Sequence, residues 1–163
     1  MLRTALMWEP RGHADMYGCL MTPPVSKEAD FGVLFLHNEG YSTMCGHAII
    51  AMTKLVVEMG WVERLSPETV VRIDSPAGLI TAYAKVESGS VRSVYFHNVP
   101  SFVSAIGERV TVPGLGIIPY DIAYGGAFYA YVDADAMGLS MACLLYTSPS
   151  PRDLSTSRMP SSA

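Results

Sequence analysis

Residues 41–60 read Tyr41-Ser42-Thr43-Met44-Cys45-Gly46-His47-Ala48-Ile49-Ile50-Ala51-Met52-Thr53-Lys54-Leu55-Val56-Val57-Glu58-Met59-Gly60. From Gly46 to Met59 the pattern is helical and apolar almost all round, and Gly60 stands where a helix C-cap favours glycine. A helix with so little polar face is expected inside a structure, with other elements built around it. Cys45 sits where a short polar turn becomes the first turn of that helix. The first amides of a helix have no internal acceptor, and the helix dipole leaves partial positive charge there. A thiol in such a setting is pushed toward thiolate, and the same amides can hold a carboxylate. One short segment therefore offers both a base or nucleophile and an anion site.

The flanks supply the cover for such a helix. Residues 31–36 are a continuous apolar run, which suits a strand buried on both faces, and Asn38-Glu39-Gly40 turns the chain into the Cys45 segment. Residues 16–22 read as a short strand stopped by Pro23-Pro24. Residues 2–8 read as a helix end, broken by Glu9-Pro10-Arg11-Gly12-His13. Downstream, residues 69–74 and 79–86 flank the turn Ser75-Pro76-Ala77-Gly78. A strand over 91–98 follows Ser88-Gly89, and another over 109–112 precedes Pro113-Gly114. Residues 120–123 and 128–132 are joined across Gly125-Gly126, a hairpin signal. Val91, Ser93, Tyr95 and His97 alternate with Arg92, Val94 and Phe96, as antiparallel strands do. The expected fold is α+β, an antiparallel or mixed sheet wrapped around one central buried helix.

Bulk properties narrow the function classes. Half of the 163 residues are hydrophobic and 16% are charged, with a mean hydropathy of +0.26. Part of the surface is therefore expected to pack against something else. A formal charge of −4 and a pI near 5.5 give no basic footprint for nucleic acid. The longest apolar run, 48–59, is interrupted by Thr53, Lys54 and Glu58, so no membrane span is expected. No long apolar signal core follows Met1. Cys19, Cys45 and Cys143 make an odd, sparse set, which points to a reducing compartment and hence the cytoplasm. Residues 1–142 read as one half-domain. Residues 143–163, rich in Ser and Pro, cannot build a core and read as an adapter-like, non-native or disordered tail.

Five blocks carry a family resemblance: EPRGHADMYG (9–18), ADFGVLFLHNEGYSTMCGHAII (29–50), SPAGLI (75–80), NVPSFV (98–103) and YGGAFYAYVDA (124–134). In order and spacing they resemble the proline racemase family, and within it the branch of trans-3-hydroxy-L-proline dehydratases. MCGHA stands where racemases more often read MCGHG, and LFLHNEGYS has the same flavour. The resemblance implies a diaminopimelate epimerase-like fold of two pseudo-symmetric halves, of which this chain is the first, with the active site between them. It also implies no cofactor, a proline or hydroxyproline as substrate, and a homodimeric full-length form. Cys45 would be the first-half thiol acting on the α-proton. Gly46 and His47 would offer amides to the substrate carboxylate, with the His47 side chain near the ring nitrogen, and Tyr17 would wall the pocket. The family's DRSPCGTGT-like block, which holds the second catalytic residue, and its opening strand are not seen in the sequence. A threonine there marks a dehydratase and a cysteine a racemase, so both outcomes stay open. The chain alone is expected to be inactive, with an exposed apolar face and poor solubility.

The same residues admit other readings. Taken singly, Cys45 could be an inert buried thiol and His47 a packing residue, as in a non-catalytic relative that kept the fold. A thiol redox enzyme lacks a CxxC pair. Cys45-x-His47 finds no second pair with zinc spacing. Cys19 and Cys143 read as inert, and His13, His37 and His97 as structural. Asp121, Asp133 and Asp135 suit turns and strand ends. Gly125-Gly126 lacks the following helix of a phosphate loop and reads as a hairpin turn.

Overall fold

In the computed structural model, which describes residues 2–139, helix α1 (Leu2–Met7) leads into strands β1 (Tyr17–Thr22), β2 (Phe31–His37) and β3 (Tyr41–Ser42). Helix α2 (Gly46–Glu58) follows, then β4 (Glu68–Ser75), β5 (Gly78–Glu87) and β6 (Ser90–His97). These strands make one sheet in the order β1-β2-β4-β5-β6, with β3 beside β2. Every pairing in it is antiparallel except β2 with β4, where Phe31 faces Ile73 and Gly32 faces Asp74. Two parallel neighbours need a long crossover, and α2 lies within it. That connection lays the helix across one face of a mixed sheet.

The contact is apolar and close. Ile49, Val56 and Val57 of α2 are fully buried against Val33 and Phe35 of β2, Val71 and Ile73 of β4, and Ile80 of β5. Burying each such side chain contributes about 1.5–3 kcal/mol. Ala82 and Ala84 are also fully buried in β5. Their small side chains take little room under the helix that packs on this strand. Thr53, polar and buried, donates its hydroxyl to the Ile49 carbonyl at 2.7 Å. The helix ends at Met59, and Gly60 takes a φ of +69°, which favours glycine.

The helix buries one face rather than all of its apolar surface. Ile50 and Leu55 stay 40% and 42% exposed, because the sheet covers only the stripe containing Ile49, Met52, Val56 and Val57. Leu34 is likewise the exposed position of a strand that is otherwise mostly buried on both faces.

The described chain forms two compact units. The first runs up to Phe102 and includes the Tyr124–Phe128 segment. The second contains Val103–Ala123 and the described residues from Tyr129 onward. Strands β7 (Phe102–Val112), β8 (Gly116–Tyr124) and β9 (Phe128–Tyr131) make a three-stranded sheet in sequence order. Its first strand begins at Phe102, well before the strand expected over 109–112. Gly107, at a φ of +69°, breaks the pattern while its amide is held by the Asp121 carboxylate at 2.7 Å; a glycine inside a strand often marks such an irregularity. Ile106 and Ile117 are 76% and 65% exposed, so this unit presents apolar surface to solvent. The expected tail over 143–163 lies outside the described residues.

Candidate active site

Cys45 is the N-cap of α2, with extended backbone (φ −144°, ψ 108°) and no side-chain capping hydrogen bond. Its carbonyl accepts from the Ile49 amide at 3.0 Å, the first bond of the helix. The sulfur is therefore not spent on capping, while the first-turn amides from Gly46 onward have no acceptor within the helix. Gly46 matters sterically: a Cβ there would stand 3.1 Å from Phe96 Cζ. His47 is exposed, one residue into the helix. The structure thus brings Cys45, Gly46 and His47 together at one helix start, with the thiol half-buried.

Two other sequence blocks reach the residues just before the thiol, and a third holds one of those two in place. Ser42 Oγ donates to the Met44 carbonyl at 3.0 Å. The Ala77 amide, in the turn between β4 and β5, donates to the Thr43 carbonyl at 3.2 Å. Thr43 Oγ1 donates to the Gly126 carbonyl at 2.5 Å, and Asn98 Nδ2 to the neighbouring Gly125 carbonyl at 2.7 Å. Phe102, Tyr124 and Phe128 form an aromatic cluster on that turn, with ring centroids 4.9–6.1 Å apart. In the sequence these blocks read as strand ends and turns. Thr43 and Asn98 gave no chemical signal of their own.

Tyr17 lies elsewhere on the same sheet face. It opens β1, and alternation puts it in one row with Cys19 and Met21, both of which pack on the core beneath α2. Its ring stacks on His37 at 6.0 Å. Both rings line a cavity of about 440 Å³ with Trp8, Asp15, Asn38 and Glu39. Buried Asn38 ties the edge together, donating to the carbonyls of Met7 at 2.9 Å and His13 at 2.7 Å. Gly12 is required here, since a Cβ would fall 2.2 Å from the Met7 oxygen.

Cys19, read from sequence as inert, is an electrostatic neighbour of Cys45. Burial, and secondarily the nearby Cys45, push the Cys19 thiol up. A thiol held protonated is a poor nucleophile. Iodoacetamide at mildly alkaline pH is accordingly expected to label Cys45 severalfold faster than Cys19, read by peptide mass spectrometry; equal rates would contradict the placement. Among the described residues no group of three or more His, Cys, Asp or Glu surrounds Cys45 and His47 as a metal site would, and no helix is long and apolar enough to cross a membrane.

Comparison with known proteins bears on this geometry. A family model described as proline racemase matches residues 1–145. A trans-3-hydroxy-L-proline dehydratase of Colwellia psychrerythraea is 55% identical over 140 residues, which is 86% of this chain and 39% of that protein. A 3-hydroxyproline 2-epimerase of Burkholderia multivorans is also 55% identical, over 132 residues, covering 81% of this chain and 39% of the relative. The crystal structure of a hydroxyproline epimerase from Agrobacterium vitis, with bound trans-4-OH-L-proline, superposes with a TM-score of 0.80 at 36% identity. It spans 85% of this chain and 41% of that one. The chain therefore spans about 39% of the length of the curated relatives it matches.

Proposed function

The chain belongs to the proline racemase family, and on that premise we propose that it supplies one side of a cofactor-independent active site that dehydrates trans-3-hydroxy-L-proline. The observation that carries the reading is the convergence of separate sequence blocks on a half-buried, uncapped thiol at the start of α2. Identity of 55% to a dehydratase supports the choice of reaction.

In this reading Cys45, as thiolate, removes the α-proton. The C–H electron pair passes to the α-carbon, and the negative charge spreads into the carboxylate. The amides of Gly46 and His47 hold that carboxylate, so fixed dipoles face the charge as it grows. Tyr17 flanks the ring. With a hydroxyl on the adjacent carbon, the electron pair forms the C=C bond as that C–O bond breaks. The hydroxyl takes a proton from an acid on the opposite side of the site and leaves as water, and the Cys45 thiol returns its proton to solvent. The enamine then tautomerises to 1-pyrroline-2-carboxylate. Without such a leaving group, a proton returns from the opposite face. Proton transfer by one positioned group contributes about 10²–10⁴-fold, a share of the barrier this single thiol can supply.

Epimerisation at the same carbon is the second reading, favoured by the equal identity to a 3-hydroxyproline 2-epimerase. Product analysis in an enzyme carried to the full length of the relatives separates the two. A pyrroline with loss of water supports dehydration. Deuterium exchange with inversion and no water loss overturns it in favour of epimerisation. The 163 residues alone are expected to turn over neither substrate, and measurable pyrroline formation by them would refute the two-sided site.

A further inference from the structure

The Tyr124–Phe128 segment reaches back to the residues before Cys45 and belongs to the same compact unit. Three features fix it there. Thr43 Oγ1 donates to the Gly126 carbonyl at 2.5 Å, and Asn98 Nδ2 donates to the Gly125 carbonyl at 2.7 Å. Gly126 lies directly on Met44, where a Cβ would stand 2.7 Å from Met44 Cγ and 2.8 Å from Met44 Cβ. Its φ of +101° is one that glycine tolerates and L side chains rarely adopt. The segment is closed internally by the Gly125 amide donating to the Ala127 carbonyl at 3.1 Å. Asn98 is oriented for its task, because its Oδ1 accepts from the Val99 amide at 2.9 Å and so turns the Nδ2 group toward Gly125.

Thr43 is gripped from two sides, through its carbonyl by Ala77 and through its hydroxyl by Gly126. Cys45, two residues on, has no side-chain capping bond of its own. Its sulfur is placed by packing on the core and by the backbone that Thr43 and Met44 deliver.

We propose that the Tyr124–Phe128 turn is a strap that positions the Cys45 thiol, with Thr43, Asn98 and Gly126 as positioning residues. The proposal rests on the reading of Cys45 as the α-proton base. A turn serving stability alone would make the same hydrogen bonds, so the distinction lies in how local the effect is. Cys19 supplies the comparison: it is half-buried on β1 in the same unit and rests on the same core as Cys45, so a general loosening of the fold raises both rates.

The test compares alkylation rates of Cys45 and Cys19 within one molecule of the 163-residue chain, by peptide mass spectrometry with iodoacetamide. Thr43→Val keeps the shape and removes the donor. It is expected to raise the Cys45 rate about three- to tenfold, the span that loss of one hydrogen bond allows, with the Cys19 rate unchanged. Thr43→Ser restores the donor and is expected to return the Cys45 rate to that of the parent. Gly126→Ala, which strains φ and pushes on Met44, is expected to shift the Cys45 rate alone. An unchanged Cys45 rate in both Thr43→Val and Gly126→Ala, or a parallel rise at Cys19, overturns the strap. Failure of the base reading is separate: it would show as turnover that survives Cys45→Ser in the full-length enzyme, with these rates unaffected.

Discussion

Cys45→Ser in an enzyme carried to the full length of the relatives is expected to lower α-proton removal about 10²–10⁴-fold, the usual worth of a positioned general base. The two side chains are nearly isosteric, but a hydroxyl is a far weaker acid than a thiol. At neutral pH the serine offers almost no anion to take the proton. Stability should not follow activity down. Cys45 is an N-cap without a side-chain bond, and serine is among the preferred residues at that position. The variant is therefore expected to melt at or above the temperature of the parent while losing turnover. Deuterium uptake at the α-carbon from heavy water, measured beside pyrroline release, reads the effect. Because both proposed outcomes start with the same proton, exchange and dehydration should fall together. Exchange that persists while pyrroline release is lost would remove Cys45 from the first step.

The surroundings of that thiol were legible to different depths. The bounds of α2 follow from local chemistry: an apolar helical period, a start at Gly46 and a stop at Gly60, all found in place. The turn between β4 and β5 is equally local, and its Pro76-Ala77 corner lies where Ser75-Pro76-Ala77-Gly78 requires. Which face of α2 stays open was not legible, because Ile50 and Leu55 differ little in hydropathy from Ile49 and Val56. Cover is a tertiary property, and periodicity carries no record of it. The parallel pairing of β2 with β4 depends on how the crossover returns, which pattern alone does not settle. The start of β7 at Phe102 was hidden by Gly107, whose break in the pattern proved to be a local irregularity inside a longer strand. Thr43 and Asn98 show the limit most clearly. Each is a polar residue in a turn, fully explained by turn propensity, and Thr43 finds its partner 83 residues away. Cys19 likewise looked like any apolar-strand thiol until the sheet placed it near Cys45.

The second large effect is structural and lies beneath the thiol. Phe35→Ala is expected to destabilise the fold by about 3–5 kcal/mol, the range for truncating a buried aromatic. Phe35 is fully buried in β2, facing Cys19 of β1 on one side and Ser42 of β3 on the other. It belongs to the cluster on which both Cys19 and Cys45 rest. Its loss opens a cavity between the strand that carries one thiol and the short strand that leads into the other. Domains of this size hold about 5–15 kcal/mol in total, so the variant should retain only part of the parent's margin. Urea denaturation reads this as a lower midpoint at unchanged slope. Leu34→Ala is the control, one residue away on the same strand but 40% exposed, and its cost should be well below that of Phe35→Ala. Alkylation links the two effects: a core weakened at Phe35 should expose Cys19 more often and speed its labelling, whereas Leu34→Ala should leave that rate near the parent's. Equal costs for the two truncations would mean that β2 does not present the Phe35 face to α2.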